Sequence, residues 1–351
     1  MELSVCSVGD VITDPVTGWR PTSAERHQNV VEFAVAIDEA GLGAIHVGEH
    51  HGLEYVFSSP PVILMAIAER TKHIRLGTGV TLVANLDPVR VAEDYATLDV
   101  LTGGRVEICA GRGNIFPDVY RLFGQPMEES QERFEENLRL LLDLWGNPVI
   151  PHWEGKFRAP LDDFRLQPPP LQSPRPPISV GGGLSQSSAE LAANLGLPLT
   201  LPVTTFQTPK IYEPVADAYR ARWAEAGHAG PPRIGAAIHT NIAATSQGAR
   251  ERWAPRYRAY YDWTKAMIVG MGAPPSFFTE FDFDTLVGPD GPCVCGSPAE
   301  FVDRLGWLGD LLGLEQIMLT LDLGGTPLAD QLEQVELIGA EVLPAISRAA
   351  A

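Results

Sequence analysis

Cysteine is scarce in this chain: four among 351 residues, at Cys6, Cys109, Cys293 and Cys295. Cys6 and Cys109 sit in apolar, strand-like runs, where a free thiol behaves as a small hydrophobe. Cys293 and Cys295 form a lone C-x-C in a Pro/Gly loop. Without a second Cys/His pair that spacing is a weak metal signal, and no metal site is expected. Positive charge is also short. Lys and Arg total 26 against 44 Asp and Glu, a net charge of −18. Such a chain repels phosphate backbones and anionic lipid, which argues against nucleic-acid and membrane-surface binding. Solubility is the plain reading of that charge. No apolar run reaches membrane-spanning length, and no basic segment with an apolar core opens the sequence. A reducing, cytoplasmic setting is therefore expected. Gly/Ser linkers, low-complexity tracts and short repeats are missing, so residues 1–351 read as one domain.

What is present is alternation. Leu3 to Val8 reads as a strand. Thr22 and Glu25 make a capping box that opens an amphipathic helix closed by Gly41. A second strand spans Ala44 to Val47, and a helix runs from about Pro61 to Arg70. The third strand is read as Ile74 to Val83. Asp87-Pro88 then supplies an N-cap and a proline at the first helical position. Val106 to Ala110 is the fourth strand, followed by a helix over Glu128 to Trp145. Gln167 to Pro177 is rich in proline and reads as a long loop rather than a linker, because a strand follows at Ile178 to Val180. Helix Ser187–Leu195, strand Leu197–Leu201, helix Pro214–Ala226 and strand Ile234–Ala243 continue the rhythm. The segment 254–298 breaks it, being aromatic, rich in Gly and Pro, and too long for an ordinary connection. Strand Gln316–Leu321 and helix Leu328–Leu343 end the pattern. Eight strand–helix units predict an α/β fold, a (β/α)8 TIM-type barrel with a long insertion between strands seven and eight. A doubly wound open sheet is disfavoured because no G-x-G-x-x-G follows the first strand.

In such a barrel the chemistry lies at the C-terminal strand ends. The second strand ends in Glu49-His50-His51, a carboxylate with two imidazoles. Acid–base or ligand-orienting work suits that group at neutral pH. Part of a metal site is the alternative, but no further ligand is evident. The third strand contains Gly77-Thr78-Gly79-Val80, and the fourth ends in Gly111-Arg112-Gly113. The fifth ends in Gly181-Gly182-Gly183, with Ser185, Gln186, Ser187 and Ser188 at a helix start. Glycine amides, hydroxyls and a helix N-terminus together suit an anion, and Arg112 could add a full positive charge. A glycine turn with a serine N-cap explains the same residues, and Arg112 could simply pair with a carboxylate. The isolated histidines His27, His46, His73, His152, His228 and His239 read as surface or core residues.

The stretches Gly48-Glu49-His50-His51, Leu76-Gly77-Thr78-Gly79-Val80, Asp87 to Asp94 and Leu98 to Arg105 together resemble the bacterial luciferase-like flavin monooxygenases. The resemblance covers most of the chain and resumes at Ile178 to Pro202. It implies a barrel that binds reduced FMN at its C-terminal rim. His50 falls on the catalytic histidine and Glu49 on the glutamate beneath the flavin. A non-proline cis peptide is expected at Gly79-Val80. Arg112 falls on the phosphate-binding arginine, and Gly182, Gly183, Ser187 and Ser188 on the phosphate loop. Segment 254–298 resembles the family's active-site loop, and Tyr260, Tyr261, Trp263, Phe277 and Phe278 would line the substrate pocket. One departure is Gly111, where luciferase's α-subunit carries a reactive cysteine; it argues against light emission and leaves oxygenation open.

The function implied is an FMNH2-dependent monooxygenase. It would activate O2 as a flavin C4a-hydroperoxide and oxygenate a small organic substrate, with a separate NAD(P)H:flavin reductase supplying FMNH2. A homodimer through the second and third helices is expected, as the family implies. Three alternatives stay open: an F420-dependent oxidoreductase of the same superfamily, a flavin reductase-like enzyme using NAD(P)H, and a non-catalytic flavin-binding protein.

Overall fold

The computed structural model describes residues 1–349 except 114, 205–206, 273–277 and 279. The strands are β1 (Glu2–Ser7), β2 (Ala44–Val47), β3 (Arg75–Thr78), β4 (Ile108–Ala110), β5 (Ile150–Trp153), β6 (Leu161–Phe164), β7 (Ile178–Gly181), β8 (Leu199–Val203), β9 (Ile234–Ile242), β10 (Val294–Gly296) and β11 (Leu314–Thr320). The helices are α1 (Ser23–Ala40), α2 (Pro60–Ala68), α3 (Pro88–Thr102), α4 (Asp118–Leu122), α5 (Ser130–Gly146), α6 (Gln186–Asn194), α7 (Glu213–Ala226), α8 (Ser246–Gly270), α9 (Phe283–Leu286), α10 (Pro298–Leu312), α11 (Leu328–Leu337) and α12 (Leu343–Ala349). Among the described residues no helix is long and apolar enough to cross a membrane.

Eight parallel strands run in the order β3-β2-β1-β11-β9-β8-β7-β4. Parallel bridges between Leu76 and Val106 and between Thr81 and Ala110 join the two ends. The expected (β/α)8 TIM-type barrel is therefore the fold, with β7, β8, β9 and β11 as its last four strands. The strands are almost wholly buried because helices cover their outer faces. Helix starts follow local chemistry. The Thr22–Glu25 capping box opens α1, and Asp87 accepts from the amides of Val89 and Arg90 to open α3. Gly41 and Gly103 close those helices in the left-handed conformation, which costs glycine little.

The closing seam lies between β3 and β4. The backbone leaves the ladder at the cis peptide Gly79-Val80, the position expected for it. The ladder resumes where the Thr81 amide donates to Cys109 O (2.8 Å) and the Gly111 amide to Thr81 O (2.8 Å). In the gap, Thr78 Oγ1 accepts from the Cys109 amide at 3.2 Å. Thr81 Oγ1 bonds Thr78 Oγ1 at 2.9 Å and Tyr95 Oη, on α3, at 2.7 Å.

Several sequence readings need correction. The third strand stops at Thr78 instead of reaching Val83, because of that break in the ladder. A short antiparallel hairpin, β5–β6, precedes the proline-rich loop and was not anticipated. Among its described residues, segment 254–298 carries regular structure where a loop was expected. Its first part continues α8 through Pro255 to Gly270, and α9 and β10 follow. Burial of Trp253, Tyr257, Tyr260 and Tyr261 along α8 outweighs the helix-breaking tendency of the proline. The last helix is divided, with a π-helical turn at Ile338–Val342 between α11 and α12.

Thr78→Val keeps side-chain shape but leaves the buried Cys109 amide without an acceptor. It should destabilise the fold by about 1–3 kcal/mol, measured by urea unfolding. An unchanged midpoint would show that the seam does not depend on this hydroxyl.

Candidate active site

Every barrel strand is parallel, so residues just past their C-terminal ends share one rim. Glu49 lies two residues beyond β2, Gly79 one beyond β3, Arg112 two beyond β4 and Gly182 one beyond β7. The four strand ends singled out from sequence thus come together on the C-terminal rim.

Glu49 is buried and fully engaged. Its Oε2 accepts from the Leu82 amide at 2.9 Å, and its Oε1 lies 2.8 Å from His51 Nε2. The carboxylate therefore pins the chain beyond the cis peptide and orients the second histidine. His50 differs. Its ring stacks on Tyr55 at 4.1 Å between centroids and meets Phe116 edge-on at 5.6 Å. Its Nδ1 is buried with no hydrogen-bond partner. Burial, assisted by neighbouring His51, pushes the His50 pKa down to about 3. At neutral pH this ring is neutral, with one nitrogen a donor and the other an acceptor. The unperturbed value near 6.5 expected from sequence does not hold in this state.

Beneath the rim, Val80 is seated on two glycines. A Cβ on Gly111 would stand 2.3 Å from Val80 Cγ2, and one on Gly181 would stand 3.0 Å from Val80 Cγ1. Gly111 thus has a steric reason to be glycine. Arg112 donates to Gln131 Oε1 at 2.6 Å, a partner on α5 that the sequence did not reveal. After the neighbouring strand β7, Ser185 caps α6, its Oγ accepting from the Ser187 amide at 3.3 Å and lying 2.9 Å from Ser187 Oγ. The serine N-cap is therefore real, and it leaves Gly183 with nothing within 4 Å of its Cβ position. Ser187 and Ser188 are partly exposed beside it.

An aromatic layer covers the mouth. Tyr55 and Tyr260 join hydroxyls at 3.0 Å, and Trp263 packs edge-on against Tyr55. Tyr261 and Phe278 meet at 5.8 Å within the same cluster, while Phe277 lies outside the described residues. Under this layer sits a polar group that sequence reasoning missed: Asp10 beyond β1, Asp322 beyond β11, and Arg26 on α1. The signal that found Glu49, a carboxylate just past an apolar strand, also marks Asp10 and Asp322. Among the described residues no cluster of His, Cys, Asp and Glu is arranged to hold a metal ion.

Residues 6–306 match the family model described as luciferase-like monooxygenase, and the chain belongs to that family. A 161-residue stretch is 29% identical to the oxygenase component of a flavin-dependent trigonelline monooxygenase from Acinetobacter baylyi, covering 45% of this chain and 44% of that one. A 176-residue stretch is 34% identical to a 4-hydroxyprotoasukamycin monooxygenase from Streptomyces nodosus subsp. asukaensis, over 49% and 47%. An F420-dependent glucose-6-phosphate dehydrogenase from Amycolatopsis mediterranei is 29% identical over 44% and 48%. The chain matches a little under half the length of each of these curated relatives. Among solved structures, monooxygenase RslO1 from Streptomyces bottropensis superposes with a TM-score of 0.86 at 24% identity, over 99% of this chain and 100% of that one.

Gly111→Ala should force Val80 off its seat and destabilise the protein by about 1–3 kcal/mol. The double variant Gly111→Ala/Val80→Ala should recover much of that loss in thermal unfolding. Strict additivity of the two single effects would show that the residues do not press on each other.

Proposed function

We propose that the protein is a reduced-flavin-dependent monooxygenase that binds FMNH2 at the C-terminal rim and oxygenates a small organic substrate. The observation that carries this reading is a neutral His50 with a buried, unpartnered Nδ1, set beside Glu49 and the Gly79-Val80 turn in a chain of this family. The residues fit a flavin. Arg112, Gly182, Gly183, Ser187 and Ser188 would hold the 5′-phosphate, with hydroxyls, open glycine backbone and one guanidinium facing a dianion. Glu49, Gly79 and Val80 would lie against the ring. FMNH2, when bound, supplies the two electrons with which O2 is activated for transfer of one oxygen atom. His50 then acts as a neutral donor and acceptor that orients the substrate oxygen. The aromatic layer excludes water from the reaction. The printed name "oxygenase component" of the trigonelline relative supports a separate reductase as the source of FMNH2.

Hydride transfer with F420, without O2, is the second reading, and the F420-dependent relative favours it. Oxygen uptake with FMNH2 against hydride transfer with reduced F420 separates the two. In anaerobic titrations Arg112→Ala should weaken FMNH2 binding about 10–100-fold. His50→Ala should bind FMNH2 almost normally yet lower oxygenation of a panel of ketones and aldehydes by about 10²–10⁴-fold. Its electrons should go to hydrogen peroxide instead. Wild-type affinity in the first variant moves the phosphate elsewhere, and wild-type coupling in the second leaves His50 without a catalytic role.

The same proposal includes a homodimer. Val62 on α2 and Val100 and Leu101 on α3 are apolar yet 69%, 44% and 62% exposed, a surface suited to a second copy. Light scattering at micromolar concentration should give twice the monomer mass; a monomer alone rejects the dimer.

A further inference from the structure

We propose that Asp10 is held as a neutral carboxylic acid beneath the aromatic layer and is the proton donor for oxygen chemistry at the rim. The donor role rests on the flavin reading above; the protonation state does not.

The argument starts from a shortage of partners. Asp10, Arg26 and Asp322 are 2%, 3% and 2% exposed. Arg26 directs one terminal nitrogen to Asp322 Oδ2 and, at 3.0 Å, to Ser7 Oγ. Its Nε goes to the backbone carbonyl of Asp10 (3.1 Å), not to the Asp10 carboxyl. Asp322 Oδ2 also accepts from Ser7 Oγ at 2.5 Å. Asp10 is left with backbone amides, Gly324 on Oδ2 at 3.0 Å and Gly325 beside it, while its Oδ1 is buried and unpartnered. Two carboxyl groups thus share one guanidinium, which meets Asp322 Oδ2 through one nitrogen and leaves its other terminal nitrogen and Asp322 Oδ1 without a partner. Ionising both would leave an uncompensated negative charge out of water. The less well bonded of the two, Asp10, is the one that keeps a proton.

The groups facing Asp10 are few. They are Arg26 from α1, Asp322 and the glycine amides after β11, Tyr55 from the loop after β2, and Tyr260 from α8. Asp14, further along the same loop, is taken up by Arg256. Burial, opposed by Arg26 and reinforced by Asp322, raises the Asp10 pKa to about 7. His50, at about 3, carries no imidazolium proton at neutral pH, and its remaining N–H is far too weak an acid to replace it. Tyr55 and Tyr260 both lie close enough to Asp10 to feel its charge; their hydroxyls meet at 3.0 Å, and the Tyr55 ring stacks on His50.

The step balances without a further reagent. Reduced flavin anion and O2, with the proton of Asp10, give oxidised flavin, hydrogen peroxide and the Asp10 carboxylate. Two electrons pass from flavin to oxygen, the flavin N–H supplies one proton and Asp10 the other. The carboxylate is then reprotonated from solvent.

Two measurements test this. Infrared titration of the flavin-free protein should show a protonated carboxyl band at pH 6 that fades by pH 8 and is absent from Asp10→Asn. That variant keeps an acceptor for the Gly324 amide. Absence of the band in the wild type, or its persistence in the variant, overturns the protonated state. Stopped-flow reoxidation of protein-bound FMNH2 by O2 should slow as pH rises through about 7. In Asp10→Asn it should be about 10²-fold slower at pH 6 and lose that dependence. An unchanged profile with FMNH2 tightly bound overturns the donor role alone. Failure to bind FMNH2 removes the flavin reading and the donor role with it. Stability carries the same signature. Between pH of about 4 and 7 the folded protein keeps a proton that the unfolded chain has released, so stability falls as pH rises across that window. Asp10→Asn should remove that fall; an identical slope in both proteins counts against the protonated state.

Discussion

The site depends on the way the barrel closes without a continuous backbone ladder. Between β3 and β4 the main chain turns aside at Gly79-Val80, and side chains take over the missing bonds. Thr78 receives the Cys109 amide, Thr81 ties Thr78 to Tyr95, and Glu49 receives the Leu82 amide. A buried amide without an acceptor is expensive, so these side chains are as obligatory as backbone partners. Because Glu49 is one of them, a rim residue is also a structural tie. Replacing it disturbs the turn beneath the mouth as well as the mouth itself.

Burial then divides similar residues into different states. His50 and His51 are adjacent, yet only His51 has a carboxylate beside it, and His50 lies between Tyr55 and Phe116. Asp10 and Asp322 are a strand apart, yet only Asp322 receives a guanidinium. In each pair burial acts on the residue that lacks an opposite charge bonded to it, lowering the His50 pKa and raising that of Asp10. The site therefore combines a neutral His50 imidazole with an Asp10 carboxyl whose burial favours its protonated form. Such a mixture can accept and return protons without changing its net charge by more than one.

Much of the fold was legible because parallel strands covered on both faces read as short apolar runs, and because helix caps are local. Thr22 with Glu25 and Asp87 with Pro88 did in the structure what their spacing suggested. The rim glycines and Glu49-His50-His51 stood out because polar residues rarely follow buried strands without reason. Other features were invisible for physical reasons. The β5–β6 hairpin is largely exposed, and Leu161-Asp162-Asp163-Phe164 lacks the alternation of a half-buried strand. The helix past Pro255 exists through tertiary packing. The state of His50 depends on Tyr55 and Phe116, and the partner of Arg112 sits on α5; neither is set by nearby sequence. Asp10 and Asp322 are nearly the full chain length apart, and only closure of β1 against β11 brings them together.

Two of the polar ties that hold helix α8 differ in strength. Near its middle, Arg256 makes paired contacts to Asp14 at 3.0 and 3.1 Å and reaches Asp330 at 2.9 Å. Asp14 and Arg256 are buried there. Two turns further on, Trp263 Nε1 holds Glu54 at 2.9 Å, and Glu54 pairs with Arg20 in the open, each side chain about half exposed. Dissolved ions screen the outer fastening and scarcely reach the inner one. Raised ionic strength therefore weakens the outer tie of α8 while the buried one holds.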